Sequence, residues 1–151
     1  MGLFVLEDAM NLLIVTGAST GIGRAIATRF LLEGSVVVNL SRRPCTERGV
    51  ENLACDLAQP GAIDRIAAPL GAWLADADRI CLVHNASIMR RDSIDALPSE
   101  ALRDVLELTL VAANGLNQLV LPHMGAGSSI IYIGSTLAEK AVPGVASYVI
   151  A

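Results

Sequence analysis

Apolar positions along the chain come in short bursts, separated by glycines and by longer stretches of helical spacing. Leu12-Leu13-Ile14-Val15-Thr16 is a short apolar run that ends at glycines and reads as a buried strand. Ile22, Ala25, Ile26 and Phe30 then recur at helical spacing, and Gly34 is suited to stop that helix. Val36-Val37-Val38-Asn39-Leu40 is a second strand, rich in β-branched residues. A third short strand is expected to end near Ala54-Cys55. Residues 60–75 carry a helical pattern that Pro69 and Gly71 should break or kink. Arg79-Ile80-Cys81-Leu82-Val83 forms a fourth strand, and Pro98 suits the first position of a helix. Leu102, Val105, Leu106, Ala113, Leu116 and Val120 follow as an apolar stripe, and Ser129-Ile130-Ile131-Tyr132-Ile133 is a fifth strand.

Strands alternating with helices imply βαβ units, a parallel sheet and right-handed crossovers. The expected class is α/β. Composition agrees: 53% of residues are hydrophobic and 17% charged, as strands buried on both faces require. No uninterrupted run of 18 apolar residues occurs, which speaks against a membrane span. Residues 1–9 read as a leader of uncertain order ahead of a single α/β domain over 10–151. Met1-Gly2-Leu3-Phe4-Val5-Leu6 is too short for a secretory signal, and Met10 offers an alternative start. Cys45, Cys55 and Cys81 are odd in number and show no CxxC, so neither a disulfide framework nor a zinc site is expected. A reducing cytoplasm fits that usage. The net charge of −4 disfavours a nucleic-acid partner.

Thr16-Gly17-Ala18-Ser19-Thr20-Gly21-Ile22-Gly23 lies between the first strand and the first helix, the context a dinucleotide loop needs. Gly17 would permit the tight turn, Gly21 would let backbone approach a pyrophosphate, and Gly23 would let the helix pack closely on the sheet. The helix N-terminus then offers free N–H groups and about half a positive charge to phosphates. A plain turn is the competing reading. The second strand ends in Asn39-Leu40-Ser41-Arg42-Arg43, without the acidic residue that an NAD site places on the ribose 2′-OH. Arg42 or Arg43 could instead grip a 2′-phosphate with charge-assisted bonds of roughly 1.5–3 kcal/mol. That predicts a preference for NADP(H) over NAD(H) of about 10- to 100-fold; otherwise the two are a solvated pair.

From Asn11 to Ala151 the sequence resembles the short-chain dehydrogenase/reductase family. The glycine loop matches that family's TGxxxGIG pattern, and Asp56-Leu57 stands where it has an Asp-aliphatic pair beside the adenine. His84-Asn85-Ala86-Ser87 is similar to its NNAG element, with His and Ser replacing the first Asn and the Gly. The resemblance implies a Rossmann-type doubly wound sheet, truncated here after the fifth strand. Ser19, Thr20, Ile22, Asn85, Ala86 and Ser87 would join the three glycines in lining the cofactor. Ser135 and Tyr148, thirteen residues apart, match the family's catalytic serine and tyrosine. Hydride transfer to a carbonyl needs a proton donor at the oxygen, which Tyr148 would supply, with Ser135 stabilising the developing charge.

Two departures accompany the match. The family's Tyr-x-x-x-Lys lysine would be the residue after Ala151, so the chain reads as an N-terminal fragment, inactive in isolation and poorly soluble or marginally folded. Thr109 stands at the family's usual Asn position, which weakens the expected proton relay, and Asn114 lies too far along the helix to replace it. The implied activity is NADP(H)-dependent interconversion of a small carbonyl and its alcohol, the full-length parent being a homo-oligomer. A catalytically silent nucleotide-sensing module is the alternative. Met89-Arg90-Arg91-Asp92 either flanks the mouth of the site or forms solvated surface.

Overall fold

The computed structural model describes residues 9–140 and 142–151, so the expected leader lies, apart from Ala9, outside them. Five parallel strands form one sheet: β1 (Asn11–Thr16), β2 (Val36–Ser41), β3 (Val50–Ala54), β4 (Arg79–His84) and β5 (Ser129–Tyr132). Their order is β3-β2-β1-β4-β5, so the winding reverses between β1 and β4. Open α/β sheets bind ligands at the carboxyl ends of the strands beside such a reversal.

Strand alternation divides the core into two layers. Leu12, Ile14, Val38, Leu40, Ile80 and Leu82 face one side, where they meet Ile66, Leu70 and Leu74 of α2 (Ala62–Asp76). The same layer receives Leu108, Ala112, Leu116 and Val120 from a long helix. Leu13, Val15, Val37 and Val83 face the other side and pack with Ala27 of α1 (Gly21–Leu32). The sheet is thus covered on both faces, which is why β1, β2 and β4 read as continuous apolar runs.

Three local expectations are corrected. Pro69 does not break α2, which runs from Ala62 to Asp76. Its ring lies on the exposed side, where water can take the Arg65 carbonyl that loses its helical donor. Pro98 stands one residue before the helix instead of opening it, and its carbonyl accepts from the Leu102 N–H at 3.2 Å. On α1, Ile22 is 62% exposed while Gly23 and Ala27 are buried. The packed stripe therefore runs one position later than the spacing of Ile22 and Ala25 suggested.

The long helix consists of α3 (Ser99–Leu106), a π-helical turn over Glu107–Ala112, α4 (Ala113–Val120) and a closing 3-10 turn. It runs for 25 residues, and an 18-residue stretch of it has a mean hydropathy of 1.2, so it is long and apolar enough to cross a membrane. One face, with Val105, Leu108, Ala112, Leu116 and Val120, is buried against the sheet, while Leu110, Val111 and Leu121 are exposed. β5 stands at one edge of the described sheet, where Ile131 is 42% exposed and Ile133, just past the strand, is 38% exposed. The last element is α5 (Ala146–Ile150).

Candidate functional site

β1 ends in Thr16, a buried hydroxyl that ties the two sides of the winding reversal together. Its Oγ1 accepts from the backbone N–H groups of Asn85 and Ala86, each at 2.9 Å. The Asn85 amide then donates to the carbonyls of Thr16 (2.9 Å) and Gly17 (3.1 Å). Gly17 adopts a left-handed φ of 73°, so the tight turn needs a glycine there. An added Cβ at Gly23 would lie 2.5 Å from Asn85 Nδ2 and 2.6 Å from the Gly17 carbonyl oxygen. The third glycine therefore packs the helix start against both the turn and the Asn85 side chain.

Asn39 holds this turn from below. Buried at the end of β2, it accepts from the Ala18 N–H at 2.9 Å and donates to Asn52 Oδ1 at 2.9 Å and the Arg43 carbonyl at 3.4 Å. One side chain thereby sets the spacing between the glycine turn and the Arg42-Arg43 segment. The sequence analysis passed over it, although an amide inside a β-branched, buried run was the available signal. Thr20, which precedes α1, makes no side-chain cap bond, so its hydroxyl does not occupy the first-turn N–H groups.

A cleft of about 280 Å³ opens above these elements. Of the anticipated cofactor residues, Gly17, Ser19, Thr20, Ile22, Arg42, Arg43, Asp56, Leu57, Asn85, Ala86 and Ser87 line it. Gly21 and Gly23 do not: Gly21 faces the outer side of α1 and Gly23 is buried beneath the turn. Arg42 and Arg43 are exposed, and neither forms an ion pair among the described residues. Cys55 shares the cleft, and burial, then the neighbouring Asp56, pushes its thiol up to about 11. It is an uncharged wall at neutral pH and not a nucleophile.

Ser135 and Tyr148 line one second cavity, of about 200 Å³, with Thr109, His84 and Tyr132. Asn114 is exposed and lines neither cavity, whereas the π turn carries Thr109 into the second. Leu57, Ala86, Ser87 and Leu108 line both cavities, so they form a shared wall. Each space alone is at or below the small end of ligand pockets; joined along that wall, they suit an elongated molecule. Ser135 Oγ accepts from the Leu137 N–H at 3.2 Å, which orients the hydroxyl and leaves its proton free to donate.

His84 and Tyr132, paired across β4 and β5, stack with centroids 4.5 Å apart. Asn117 bridges them, with its Oδ1 2.9 Å from His84 Nε2 and its Nδ2 donating to the Tyr132 hydroxyl at 2.6 Å. Burial holds the His84 pKa below its ordinary value of 6.5, with the Asn117 bond opposing. The ring is therefore neutral at pH 7, and its Nε2–H is the donor in that bridge. Of the Met89–Asp92 segment, Arg90 pairs with Asp104 of α3 at 2.7 Å, and Asp92 bonds to Ser147 beside Tyr148. Arg90 is exposed and Asp92 half-buried, and no residue of Met89–Asp92 lines either cavity.

Comparison with known proteins agrees with the geometry. The family model for short chain dehydrogenases matches residues 11–151. The NADPH-dependent 3-dehydrocapnine reductase of Ornithobacterium rhinotracheale is 27% identical over 144 residues, covering 90% of this chain and 51% of that protein. The 3-oxoacyl-[acyl-carrier-protein] reductase FabG of Salmonella typhimurium is 28% identical over 148 residues, covering 89% of this chain and 59% of that protein. An oxidoreductase of the short-chain dehydrogenase/reductase family from Brucella ovis, in complex with a partially ordered NAD, superposes with a TM-score of 0.84 at 27% identity. That match covers 93% of this chain and 70% of the other. The chain spans between half and three-fifths of the length of the two reductases (51% and 59%). It belongs to the short-chain dehydrogenase/reductase family.

Proposed function

We propose that this chain is the cofactor-binding part of an oxidoreductase that interconverts a small carbonyl compound and its alcohol, with NADP(H) preferred over NAD(H). The observation that carries this reading is the wall shared by the glycine-loop cleft and the cavity lined by Ser135 and Tyr148. A dinucleotide laid along that wall would have its phosphates at the Gly17–Ile22 turn and its nicotinamide end in the second cavity. The residues present fit the group. The positive φ of Gly17 makes the tight turn into α1, whose uncapped start leaves backbone N–H groups for phosphate. When bound, the cofactor supplies or accepts the hydride.

The protein's own groups then have distinct tasks. Tyr148 donates a proton to the carbonyl oxygen in reduction, and takes it from the hydroxyl in oxidation. The Ser135 hydroxyl donates to the same oxygen, stabilising charge as it develops. Val105, Leu108, Ala113 and Leu116 make the cavity apolar around them, which excludes water and favours an uncharged substrate. Arg42 and Arg43 supply fixed positive charge beside Asp56, where a 2′-phosphate would lie. The relatives' names include both NADPH and NAD, so this pair is the feature from which the preference is argued.

The test is turnover of a carbonyl panel by the full-length protein and its Tyr148→Phe variant. Loss of turnover by about 100-fold or more, with cofactor affinity kept, is expected for a proton donor. A catalytically silent nucleotide sensor remains the second reading, favoured by Thr109 at the family's usual Asn position. Binding of NADPH without turnover of any substrate would select the sensor.

A further inference from the structure

We infer that Asp92 is a positioning residue, holding Tyr148 in the cavity by clamping the start of α5 through Ser147. This rests on the functional reading above, and it begins from a deficiency in α5 itself. Val145 precedes the helix and has no side-chain acceptor, so a group from outside α5 must take up its first N–H groups.

Asp92 does so with every polar group it has. Its N–H donates to the Gly144 carbonyl at 3.1 Å, and its own carbonyl accepts from the Ala146 N–H at 3.4 Å. One carboxylate oxygen accepts from the Ser147 N–H at 3.0 Å, and the other from the Ser147 hydroxyl at 2.5 Å. The carboxylate thus acts as an N-terminal cap delivered from 55 residues away in sequence. Ser147 is wholly buried, so its hydroxyl has no water to turn to if the carboxylate is removed. Ser147's hydroxyl, then its N–H, keep the Asp92 carboxyl below the usual carboxylate range, so the acceptor is charged at neutral pH.

The clamp has two neighbours that give it a functional direction. Tyr148 is the next residue after Ser147, and it faces the second cavity. Upstream, the chain reaches Asp92 from Asn85, Ala86 and Ser87, which line the cofactor cleft, by way of Arg90, which pairs with Asp104. The segment 85–92 therefore spans from the dinucleotide wall to the helix bearing the proton donor. Displacing a reacting group by about 1 Å can cost about 100-fold in rate, and this clamp is what opposes that displacement.

The experiment uses the full-length protein with fluorotyrosine incorporated, the Tyr148 signal being identified by its loss in Tyr148→Phe. Asp92→Ala is compared with Ser147→Ala, which deletes only the hydroxyl bond, and with Asp92→Asn, which keeps an acceptor for the Ser147 N–H. Asp92→Ala and Ser147→Ala are expected to shift or broaden the Tyr148 fluorine signal while leaving that of Tyr132 in place. They should lower kcat by roughly 10- to 100-fold, with Asp92→Asn partly restored and the NADPH dissociation constant unchanged. In a Tyr148→Phe background, Asp92→Ala should cost nothing further, as coupled sites are non-additive. An unmoved Tyr148 signal, or an equal loss with and without Tyr148, would overturn the inference. Full turnover by Tyr148→Phe alone would be a separate failure, that of the reductase reading, which the fluorine signal does not share.

Discussion

A single methyl group added at Gly23 probes the packing on which the glycine loop depends. A Cβ there would stand 2.5 Å from Asn85 Nδ2 and 2.6 Å from the Gly17 carbonyl oxygen. The second obstacle is the backbone of the turn, so rotating a side chain does not relieve it. Overpacking of this kind costs about 1–3 kcal/mol. Displacing the Asn85 amide also loosens its two bonds to the Thr16 and Gly17 carbonyls, at about 1 kcal/mol each. Against this, alanine for glycine in a helix gains at most about 1 kcal/mol. The balance is a loss of about 2–4 kcal/mol, or a fall in Tm of about 4–16 °C for a domain of 150–250 residues.

Gly71→Ala is the matched control. It lies within α2, where an added Cβ meets no atom within 4 Å. The helix gain of about 1 kcal/mol then stands alone and should raise Tm by about 2–4 °C. Thermal unfolding followed by circular dichroism on both variants decides the matter. A Gly23→Ala protein as stable as the parent would refute the packing argument. NADPH affinity measured alongside should fall as well, because the same displacement moves the Gly17 turn.

Replacing Arg42 and Arg43 together by alanine should reduce the NADPH-over-NADH affinity ratio by about 10- to 100-fold while leaving NADH binding nearly unchanged. Parallel loss of both cofactors in calorimetry would show that the arginines do not read the 2′-phosphate. His84 predicts a pH dependence of stability. Its pKa in the folded state lies below the ordinary 6.5, so the unfolded chain binds more protons. Stability from its neutral form is present above that ordinary value and is lost as pH falls through it. The drop in Tm between pH 7.5 and pH 5.5 should therefore be smaller in His84→Asn, and an identical drop would contradict the burial argument.

The sheet was legible because its strands are buried on both faces, Leu12 and Ile14 in one layer and Leu13 and Val15 in the other, and so read as continuous apolar runs. The glycine loop was legible because its strand-before, helix-after setting is local. Pro69 misled because helix disruption depends on which face the proline occupies, and its exposed face appears only once α2 is packed. Ile22 misled for the opposite reason: its spacing is helical, yet the loop turns it into the cleft. The π turn that carries Thr109 to the second cavity has no composition signature in its own six residues.

The least legible features were the long-range clamps. Asn39 meets Ala18 across 21 residues, Thr16 meets Asn85 across 69, and Asp92 meets Ser147 across 55. Each was a polar residue whose partner no local pattern names. Ser135 and Tyr148 were picked out only through family resemblance, since a lone serine after a strand and a lone tyrosine carry no signal. The shared cavity is the independent reason to keep them together.

The central claim is that a dinucleotide held by the Gly17–Ile22 turn has its nicotinamide ring beside Ser135 and Tyr148. Nuclear Overhauser contacts from the nicotinamide C4 proton of bound NADP⁺ in the full-length protein measure this directly. Cross-peaks to the Tyr148 ring and the Ser135 methylene protons are predicted. A nicotinamide proton that contacts neither, while the adenine protons contact Asp56 and Leu57, would contradict it.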